Sequence, residues 1–422
     1  MAVGDAAARR AGEIMMDLGR LYAMTRYAYT HVPLYMRIAQ AREICVDSLS
    51  DEQLWQQVPM IERQAFVTSG AACLSRDYIS DYLGGRLIHE RTSGSTGHYM
   101  DVFWHPQDMS YSLIGLWMRR KKYYGINTTD KYCYFFTLHV ENGETLEREI
   151  RSNGLGFCKA LLHPHKIGAL VNELYEFSPK WLLLQPSVAH LLCKEIKKRR
   201  LPKPDFLRYV ELTGEMAEEQ LIHEIKNIMG CQVGNQYGCN EGNSIAFSCP
   251  EGNMHIASEN VVVTLSEKQE VYLTSLTNRA MPFVKYGIGD YAVLEDARDC
   301  PCGCKSPVLR LKKGRTEDYI KLTNGEAIHA GCVHKAMTLC NQILDESIIQ
   351  YQVEQREKAS FLVHLVVEEE SAECEDIVRK VMEQELYECL QIPVSVRVVF
   401  HEGMLPDEIS GKLKTFVCGL RL

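Results

Sequence analysis

Two glycines and four hydroxyl side chains are crowded into the loop Arg91-Thr-Ser-Gly-Ser-Thr-Gly97. Glycine lets backbone amides turn toward an anion, and hydroxyl groups add further hydrogen-bond donors, so this composition suits phosphate binding. The loop is not a Walker A loop, because the GxxxxGK[ST] spacing is missing and His98 stands where a lysine would follow. A flexible turn without a ligand is the alternative interpretation. The candidate phosphate-binding residues are Thr92, Ser93, Gly94, Ser95, Thr96 and Gly97.

Cysteine and histidine residues form a second chemical pattern, in Cys249-Pro-Glu-Gly-Asn-Met-His255 and Cys300-Pro-Cys302-Gly-Cys304. Thiolates and imidazoles are the usual ligands of tetrahedral Zn²⁺. Four such ligands leave no position for water, so the predicted site is structural rather than catalytic. The predicted ligands are Cys249, His255, Cys300 and Cys302, with Cys304 as a substitute for Cys300 or Cys302. Reduced cysteines that bind no metal are the alternative.

Four further polar motifs follow the phosphate-loop candidate along the chain. Each of them alone would pass for an ordinary core or surface segment, so only their order is informative. In that order they are Thr213-Gly-Glu215, Tyr237-Gly-Cys-Asn-Glu241, Tyr286-Gly-Ile-Gly-Asp290 and Gly314-Arg315.

Together these motifs resemble the adenylate-forming superfamily of acyl-CoA synthetases, nonribosomal adenylation domains and luciferases. Within it the chain looks most like phenylacetate-CoA ligases, on the loop sequence RTSGSTG and on Val58-Pro-Met-Ile-Glu-Arg63 before it. The resemblance covers nearly all 422 residues. It implies an α/β fold with a large layered N-terminal domain, residues 1–313, and a mobile, smaller α+β lid, residues 314–422. Some bacterial relatives carry zinc at a similar place.

The resemblance also implies roles for individual residues in an ATP site. The loop from Thr92 to Gly97 would surround the β- and γ-phosphates, and Glu241 would ligate Mg²⁺ as a hard oxygen donor. Asp290 and Arg315 would hold the ribose as acceptor and donor. The residues expected around the adenine and in the adjoining motif are Gly214, Glu215, Tyr237, Gly238 and Asn240.

Leu405-Pro-Asp-Glu-Ile-Ser-Gly-Lys412 resembles the terminal Gly-Lys motif of the family lid. Lys412 would be the catalytic lysine, because an ammonium group stabilises the charge that develops when a carboxylate attacks the α-phosphorus. Lys414 is the weaker candidate. The sequence has Asp407-Glu408 where many relatives carry a basic residue, and it has Glu317 at the hinge position where Asp or Lys is more familiar.

The acid substrate and the acceptor are less specified. The resemblance favours an aryl or arylacetic acid and coenzyme A, whereas a carrier-protein thiol or an amine would need the same adenylation motifs. The basic clusters Arg119–Lys122 and Lys194–Lys203 would contact CoA phosphates or an acidic carrier, unless they are solvated helix ends. A homodimer is a further prediction, and a nucleotide-binding protein without turnover is the alternative class. The pocket candidates are Phe135, Phe136, His139 and Ser244.

The hydrophobic pattern predicts the elements that position these residues. Helical spacing indicates an N-terminal helical segment from Glu13 to about Leu83. Strands and amphipathic helices then alternate, as in a layered α/β core. After Val261 a hairpin is expected. In the last hundred residues the expected order is a helix at 330–343, a strand at 361–367, a helix at 373–390 and a strand at 394–400.

Composition excludes several classes of protein. A formal charge of −8 gives no general attraction to nucleic acid or anionic lipid. No run approaches the roughly 20 apolar residues that span a bilayer. The N-terminus lacks the apolar core of a signal peptide, so we expect a cytoplasmic protein. Its 16 cysteines are then expected to be reduced.

Overall fold

The computed structural model describes residues 17–93, 99–136, 139–141, 144–158, 162, 166–217, 219–297, 299–315, 319–322, 327–345, 347–367, 369–404 and 415–420. The chain divides into two compact units. The first unit comprises Met1–Asp130, Lys180–Pro186 and Asp205–Lys312. The second unit comprises Lys131–Pro179, Ser187–Pro204 and Lys313–Leu422. No described helix has the length and apolar character needed to cross a membrane.

The described α-helices are α1 (Leu18–His31), α2 (Pro33–Ala41), α3 (Asp51–Gln57), α4 (Arg63–Ser69), α5 (Ile79–Leu83), α6 (Pro106–Ser112), α7 (Ile114–Tyr124), α8 (Ile167–Phe177), α9 (Pro186–Lys198), α10 (Glu219–Met229), α11 (Gly331–Ile343) and α12 (Ala372–Leu390). Short 3₁₀ helices span Val46–Ser48, Gly70–Cys73 and Arg76–Tyr78.

The described strands are β1 (Ile88–Ser93), β2 (Tyr99–Trp104), β3 (Tyr132–Phe136), β4 (His139–Glu141), β5 (Glu144–Leu146), β6 (Arg148–Arg151), β7 (Gly154–Cys158), β8 (Trp181–Leu184), β9 (Tyr209–Thr213), β10 (Gln232–Cys239), β11 (Asn243–Ser248), β12 (Met254–Ile256), β13 (Val261–Leu265), β14 (Glu270–Ser275), β15 (Tyr286–Glu295), β16 (Val308–Arg315), β17 (Tyr319–Lys321), β18 (Ala327–His329), β19 (Ile348–Glu357), β20 (Ser360–Val367), β21 (Ser395–Phe400) and β22 (Phe416–Cys418).

A sheet in the first unit carries strands in the order β13-β14-β15-β16-β12-β11-β10-β9-β8. Strands β8, β9 and β10 are parallel, with Leu184 and Asn235 both aligned to Leu212. The continuous apolar run of β8, Trp181-Leu-Leu-Leu184, is typical of a parallel strand buried on both faces. Motifs that follow β9 and β10 therefore lie at the carboxyl edge of the sheet, where α/β proteins bind ligands.

The N-terminal helices pack into the core of the first unit. Leu54 and Phe66 are almost wholly buried, and Tyr35 donates a hydrogen bond to the Pro282 carbonyl at 2.9 Å. The segment before α4 forms a parallel bridge between Ile61 and Tyr286. The expected helical segment is confirmed over its described residues, and so is the hairpin, formed by antiparallel β13 and β14.

The second unit contains β3, β7 and β6 as neighbours and a separate four-stranded sheet in the order β21-β20-β19-β22. Helix α12 buries a row of side chains four residues apart, namely Cys374, Val378, Met382, Leu386 and Leu390. These side chains pack with alternate residues of β20 in one hydrophobic core. The helices and strands predicted after residue 330 are present, and β19 and β22 are additional strands that the pattern did not predict.

Candidate functional site

The phosphate-loop candidate joins the two strands of a hairpin. Strands β1 and β2 pair antiparallel from Ile88↔Trp104 to Ser93↔Tyr99. Gly94 to Gly97, together with the Ser93 side chain, lie outside the described residues. Met100 and Trp104 are buried on one face of β2, which anchors the hairpin in the core. Thr92, which is half-buried, is the last loop candidate whose side chain is described.

Thr92 and the predicted Mg²⁺ ligand Glu241 both lie beside Arg63. Arg63 Nη2 donates a hydrogen bond to Thr92 Oγ1 at 3.0 Å, and Arg63 Nη1 is 3.9 Å from Glu241 Oε1. The motifs gave Arg63 no role, although it ends the segment Val58-Pro-Met-Ile-Glu-Arg63 on which the family resemblance partly rests. No feature of the sequence alone indicates this long-range contact.

Glu241 is 4% exposed, and besides Arg63 a hydrogen bond from Tyr286 and a tight turn at Gly238 set its position. Tyr286 donates its hydroxyl to Glu241 Oε1 at 2.7 Å. Burial and the Glu241 carboxylate raise the pKa of Tyr286 well above its ordinary value, so this phenol stays a donor. A Cβ at Gly238 would lie 2.2 Å from the Asn243 carbonyl oxygen, so the tight turn before Glu241 requires glycine there.

Asn240 connects this turn to the hairpin that carries the phosphate loop. Its carbonyl accepts a hydrogen bond from Trp104 Nε1 at 2.8 Å. Its side-chain Nδ2 donates to the Arg91 carbonyl at 3.2 Å. These two bonds hold the turn after β10 against both strands of the hairpin. Asn240 therefore links this turn to the hairpin that carries the phosphate loop.

Tyr237 and Asp290, which the resemblance predicts to contact adenine and ribose, contact each other directly. The Tyr237 hydroxyl donates to Asp290 Oδ2 at 2.6 Å. Just after the neighbouring strand β9, Gly214 has φ +83°, a left-handed conformation that favours glycine, and half-buried Glu215 follows it. Among the predicted nucleotide residues, the structure therefore brings Tyr237 to Asp290, and Thr92 to Glu241 through Arg63.

The four predicted zinc ligands converge. The ligand atoms of Cys249, His255, Cys300 and Cys302 all lie within 4.8 Å of one another. Three of these separations are 3.9 Å for Cys249 Sγ to Cys300 Sγ, 3.4 Å for Cys300 Sγ to Cys302 Sγ, and 3.3 Å for Cys302 Sγ to His255 Nε2. Zn–S bonds of about 2.3 Å in a tetrahedron place sulfur atoms roughly 3.8 Å apart. The cluster is therefore close to the dimensions of a zinc site.

Partners outside the four residues orient the ligand atoms. Asn253 Nδ2 donates to Cys300 Sγ at 3.4 Å, and the Tyr123 hydroxyl donates to Cys302 Sγ at 3.8 Å. His255 Nδ1 lies 2.9 Å from the Ser306 carbonyl oxygen, and this contact directs Nε2 toward the thiols. Such outer partners are a regular feature of metal-binding histidines.

Cys304 also approaches the cluster. Its backbone amide donates to Cys302 Sγ at 3.3 Å. Burial alone would lower the pKa of His255, but hydrogen bonds with Cys304, Ser306 and Cys300 raise it to about 10. The thiol of Cys304 is thus a neighbour of His255, and its service as an alternative ligand stays a prediction.

Several predicted residues cannot be placed. Glu317, Lys412 and Lys414 lie outside the described residues, and so do the side chains of Arg315 and His139.

Phe135 is buried and Phe136 half-buried on β3 in the second unit. Ser244 is 1% exposed in the first unit, and its Oγ is one of four buried polar atoms without a hydrogen-bond partner among the described side chains.

Much of the first basic cluster is already paired within the first unit. Arg119 Nη2 donates to Glu259 Oε2 at 2.9 Å. Arg120 is buried, donates through Nε to Glu211 Oε2 at 2.7 Å, and lies over the rings of Trp117 and Trp181. Because both guanidinium groups are already paired within the first unit, these two arginines are poorly suited to contact CoA phosphates or an acidic carrier.

Comparison with known proteins places this geometry in context. No protein-family model matches the sequence. The chain is 26% identical over 163 residues to a phenylacetate-coenzyme A ligase of Thermus thermophilus, which covers 35% of this chain and 36% of that protein. It is 21% identical over 220 residues to protein CapK of Staphylococcus aureus, which covers 50% of this chain and 46% of that protein. The chain thus matches less than half the length of either curated relative.

Solved structures match over more of the chain. A 2-hydroxyisobutyryl-CoA ligase in the postadenylation state, in complex with 2-HIB-AMP, superposes with a TM-score of 0.68 and 17% identity, over 98% of this chain and 90% of that chain. The anthranilate CoA ligase AuaEII, in complex with anthranoyl-AMP, gives a TM-score of 0.50 and 13% identity, over 77% and 65%. The predicted fold is confirmed: this chain has the fold of the adenylate-forming CoA ligases.

Proposed function

We propose that this protein is an AMP-forming acid–thiol ligase. It converts a carboxylic acid and ATP to acyl-AMP and pyrophosphate, and then transfers the acyl group to coenzyme A. The observation that carries this proposal is the meeting of Thr92 and Glu241 at Arg63 in the first unit. The fold adds support, because the solved neighbours hold 2-HIB-AMP and anthranoyl-AMP. An aryl or arylacetic acid is the proposed substrate class.

In this proposal the residues of the family motifs bind ATP. The loop from Thr92 to Gly97 holds the β- and γ-phosphates, Tyr237 stacks on the adenine, and Asp290 with Arg315 binds the ribose. Glu241 fits Mg²⁺, since a buried carboxylate is a hard oxygen donor. Bound Mg²⁺ would offset the triphosphate charge. Tyr286 orients Glu241 by donating to one of its two oxygens.

The proposed chemistry has two steps at one site. A substrate carboxylate oxygen attacks the α-phosphorus, the bond to the bridging oxygen breaks, and pyrophosphate leaves while the Lys412 ammonium stabilises the developing charge. The thiolate of coenzyme A then attacks the acyl carbonyl and AMP leaves. Residues 314–422 would act as a lid that turns about Glu317 between the steps.

We further propose that Cys249, His255, Cys300 and Cys302 hold a structural Zn²⁺ ion. Three thiols and an imidazole in a compact cluster fit the donor set and the dimensions of a closed tetrahedral site. The ion would connect the segment after the Tyr237–Glu241 motif to the strand region before the proposed lid. It would have no part in the chemistry. Cytoplasmic location and a homodimer remain predictions from the sequence.

The test of the proposed function is acid-dependent exchange of labelled pyrophosphate into ATP. Purified protein with Mg²⁺ is screened against a panel of aryl, arylacetic and alkyl acids, and we expect exchange with at least one aryl or arylacetic acid. Exchange with alkyl acids alone would correct the substrate class. No exchange with any acid, in a protein that still binds ATP, would favour a nucleotide-binding protein without turnover.

The acceptor is tested separately by mass spectrometry of the product formed from the active acid. We expect an acyl-CoA thioester when coenzyme A is supplied. Persistence of acyl-AMP with coenzyme A, combined with acylation of a carrier-protein thiol or of an amine, would assign the other acceptor. Both results leave the adenylation step in place.

A further inference from the structure

A single guanidinium contacts two groups of the proposed ATP site that lie on different elements. Arg63 Nη2 donates to Thr92 Oγ1 at 3.0 Å, at the end of β1. Arg63 Nη1 lies 3.9 Å from Glu241 Oε1, just after β10. Arg63 is therefore positioned where the proposed phosphate loop and the proposed Mg²⁺ ligand meet.

Backbone pairing fixes the chain that leads to Arg63. The Ile61 amide donates to the Lys285 carbonyl at 2.8 Å, and the Gly287 amide donates to the Ile61 carbonyl at 2.8 Å. The segment is thereby paired with the start of β15, the strand that carries Tyr286 and Asp290. Lys285 Nζ strengthens the connection by donating to the Val58 carbonyl at 2.9 Å.

Helix packing fixes the direction in which Arg63 leaves α4. Phe66 lies three residues after Arg63, so the two side chains share one face of the helix. The centroid of the Phe66 ring is 5.2 Å from that of Phe283 and 4.9 Å from that of Tyr286, and Phe66 is almost wholly buried. With Phe66 held against Tyr286, Arg63 is held near the carboxylate that Tyr286 also contacts.

The chemistry of these contacts points beyond a structural role. The Arg63 side chain is 20% exposed, so its charge is partly shielded without being cut off from solvent. Thr92 is a neutral hydroxyl, and Glu241 Oε1 is too distant from Arg63 Nη1 for a direct hydrogen bond. A guanidinium presents a planar fork of donors that matches the oxygens of a phosphate group.

We propose that Arg63 binds the β- and γ-phosphates of ATP, and hence the pyrophosphate that leaves in adenylation. The inference rests on the proposed function, because that function places the triphosphate beside Thr92 and Glu241. It makes Arg63 a specificity residue for triphosphate over monophosphate. AMP, which lacks the β- and γ-phosphates, does not need this residue.

The test is isothermal titration calorimetry of Arg63→Gln and Arg63→Lys with Mg·ATP, with inorganic pyrophosphate and Mg²⁺, and with AMP. A charge-assisted hydrogen bond contributes about 1.5–3 kcal/mol, so Arg63→Gln should weaken ATP and pyrophosphate binding by about 10- to 150-fold. AMP affinity should stay within about twofold of wild type. Arg63→Lys keeps the positive charge but lacks the planar fork of donors, so its ATP and pyrophosphate affinities should lie between those of wild type and Arg63→Gln.

Arg86→Gln is the matched control, because Arg86 belongs to the same unit and pairs with Asp81 in an exposed ion pair. It should bind all three ligands like wild type. Wild-type pyrophosphate affinity in Arg63→Gln would overturn the inference. An equal loss of AMP and ATP affinity would also overturn it, since a structural role for Arg63 predicts that result.

Activity separates this inference from the proposed function. Arg63→Gln should lose pyrophosphate exchange but still form thioester from supplied acyl-AMP, whose reaction involves no β- or γ-phosphate. If wild type exchanges pyrophosphate and Arg63→Gln exchanges it equally well, the role of Arg63 is wrong and the proposed function stands. If wild type catalyses no exchange, the proposed function fails, and the ATP-to-AMP binding ratio of Arg63→Gln decides on Arg63.

Discussion

The cysteine–histidine cluster and the proposed nucleotide site both gather polar residues in the first unit, yet they satisfy those residues differently. In the cluster, the ligand atoms of Cys249, His255, Cys300 and Cys302 face one another. Partners such as Asn253 and the Ser306 carbonyl orient the ligand atoms of Cys300 and His255 from outside. In the nucleotide site the predicted ligand-binding groups instead bond to other side chains of the site, as in the pairs Tyr237–Asp290 and Tyr286–Glu241.

This is the difference that we expect between the proposed site of a resident ion and the proposed site of ligands that bind and leave. A buried charge without a partner is unfavourable, so a carboxylate that waits for a ligand needs a temporary partner in the meantime. The hydroxyls of Tyr237 and Tyr286 and the guanidinium of Arg63 can fill that role. The thiols of the cluster, by contrast, converge on one another, and a single soft metal ion would satisfy all of them at once.

The largest effect should come from Lys412→Ala. If an ammonium group stabilises the charge that develops in adenylation, its removal should lower pyrophosphate exchange at least about 10²- to 10³-fold. Thioester formation from supplied acyl-AMP should survive. Lys414→Ala is the matched control and should retain exchange. An equal loss of both half-reactions in Lys412→Ala would contradict a lid that serves the two steps with different faces.

Glu241→Gln tests whether the buried carboxylate is a metal ligand as well as a partner of Tyr286. The amide can still accept a hydrogen bond from Tyr286 but carries no charge for a hard cation. We expect exchange to fall by roughly 10²-fold at limiting Mg²⁺, with partial recovery at high Mg²⁺. Glu259→Gln, which removes an ion-pair partner of Arg119, is the control. An unchanged Mg²⁺ dependence would remove Glu241 from the metal site.

Cys302→Ser tests whether the cysteine–histidine cluster holds a zinc ion. Protein purified without chelator should contain about one zinc per chain by metal analysis, and Cys302→Ser should lose most of it. Less than about half a zinc per wild-type chain would reject the proposal. Cys45→Ser, at an exposed thiol, should retain the metal.

Asn253→Ala refines the same test, because Asn253 touches Cys300 without being a ligand. Loss of such an outer partner should weaken zinc binding about 10- to 100-fold, as measured by competition with a chelator. Pyrophosphate exchange should change far less than zinc affinity. If exchange fell in parallel with zinc occupancy while the protein stayed folded, the separation between the two sites would be wrong.

The smallest effect is expected at a polar pair to which we assign no ligand. His364 Nδ1 lies 2.9 Å from His401 Nε2 in the second unit. Burial, followed by the neighbouring His401, lowers the pKa of His364. The unfolded chain therefore binds the proton more readily, and stability is lost as the pH falls below about 6.5. His364→Gln should reduce the fall of the melting temperature between pH 7 and pH 5 by about 1–2 °C. A pH dependence equal to that of wild type would contradict this assignment.

Elements with a strong apolar pattern were the most predictable part of the fold. Helix α12 repeats its buried side chains every four positions, strand β20 is an almost continuous apolar run, and both were predicted nearly to their ends. Strand β19 was missed because its sequence, IIQYQVEQRE, is largely polar and gives little hydrophobic signal for a strand. Its antiparallel pairing with β20 holds it in the sheet. Tertiary hydrogen bonding decided its structure in place of local preference.

The two candidate sites also differ in how far the sequence alone predicts them. The residue types of Cys249, His255, Cys300 and Cys302 limited the possible ligands so strongly that the cluster could be predicted without coordinates. The part played by Arg63 could not be predicted, because its partners are distant in sequence and an arginine at a helix start has no distinctive pattern. Family motifs supplied roles for Glu241 and Asp290, but the hydrogen bonds that hold these carboxylates required the structure.

The pairing of the N-terminal segment with β15 also constrains how the protein folds. Val58 and Lys285, which share a hydrogen bond, are 227 positions apart. Contacts of such separation form slowly, because a long loop must close before the contact stabilises anything. During synthesis Arg63 emerges early but cannot take its place until β15 has left the ribosome. Until then the apolar side chains of the N-terminal helices that pack against Phe283 and Tyr286 stay uncovered, and exposed apolar surface of this kind promotes aggregation of a nascent chain.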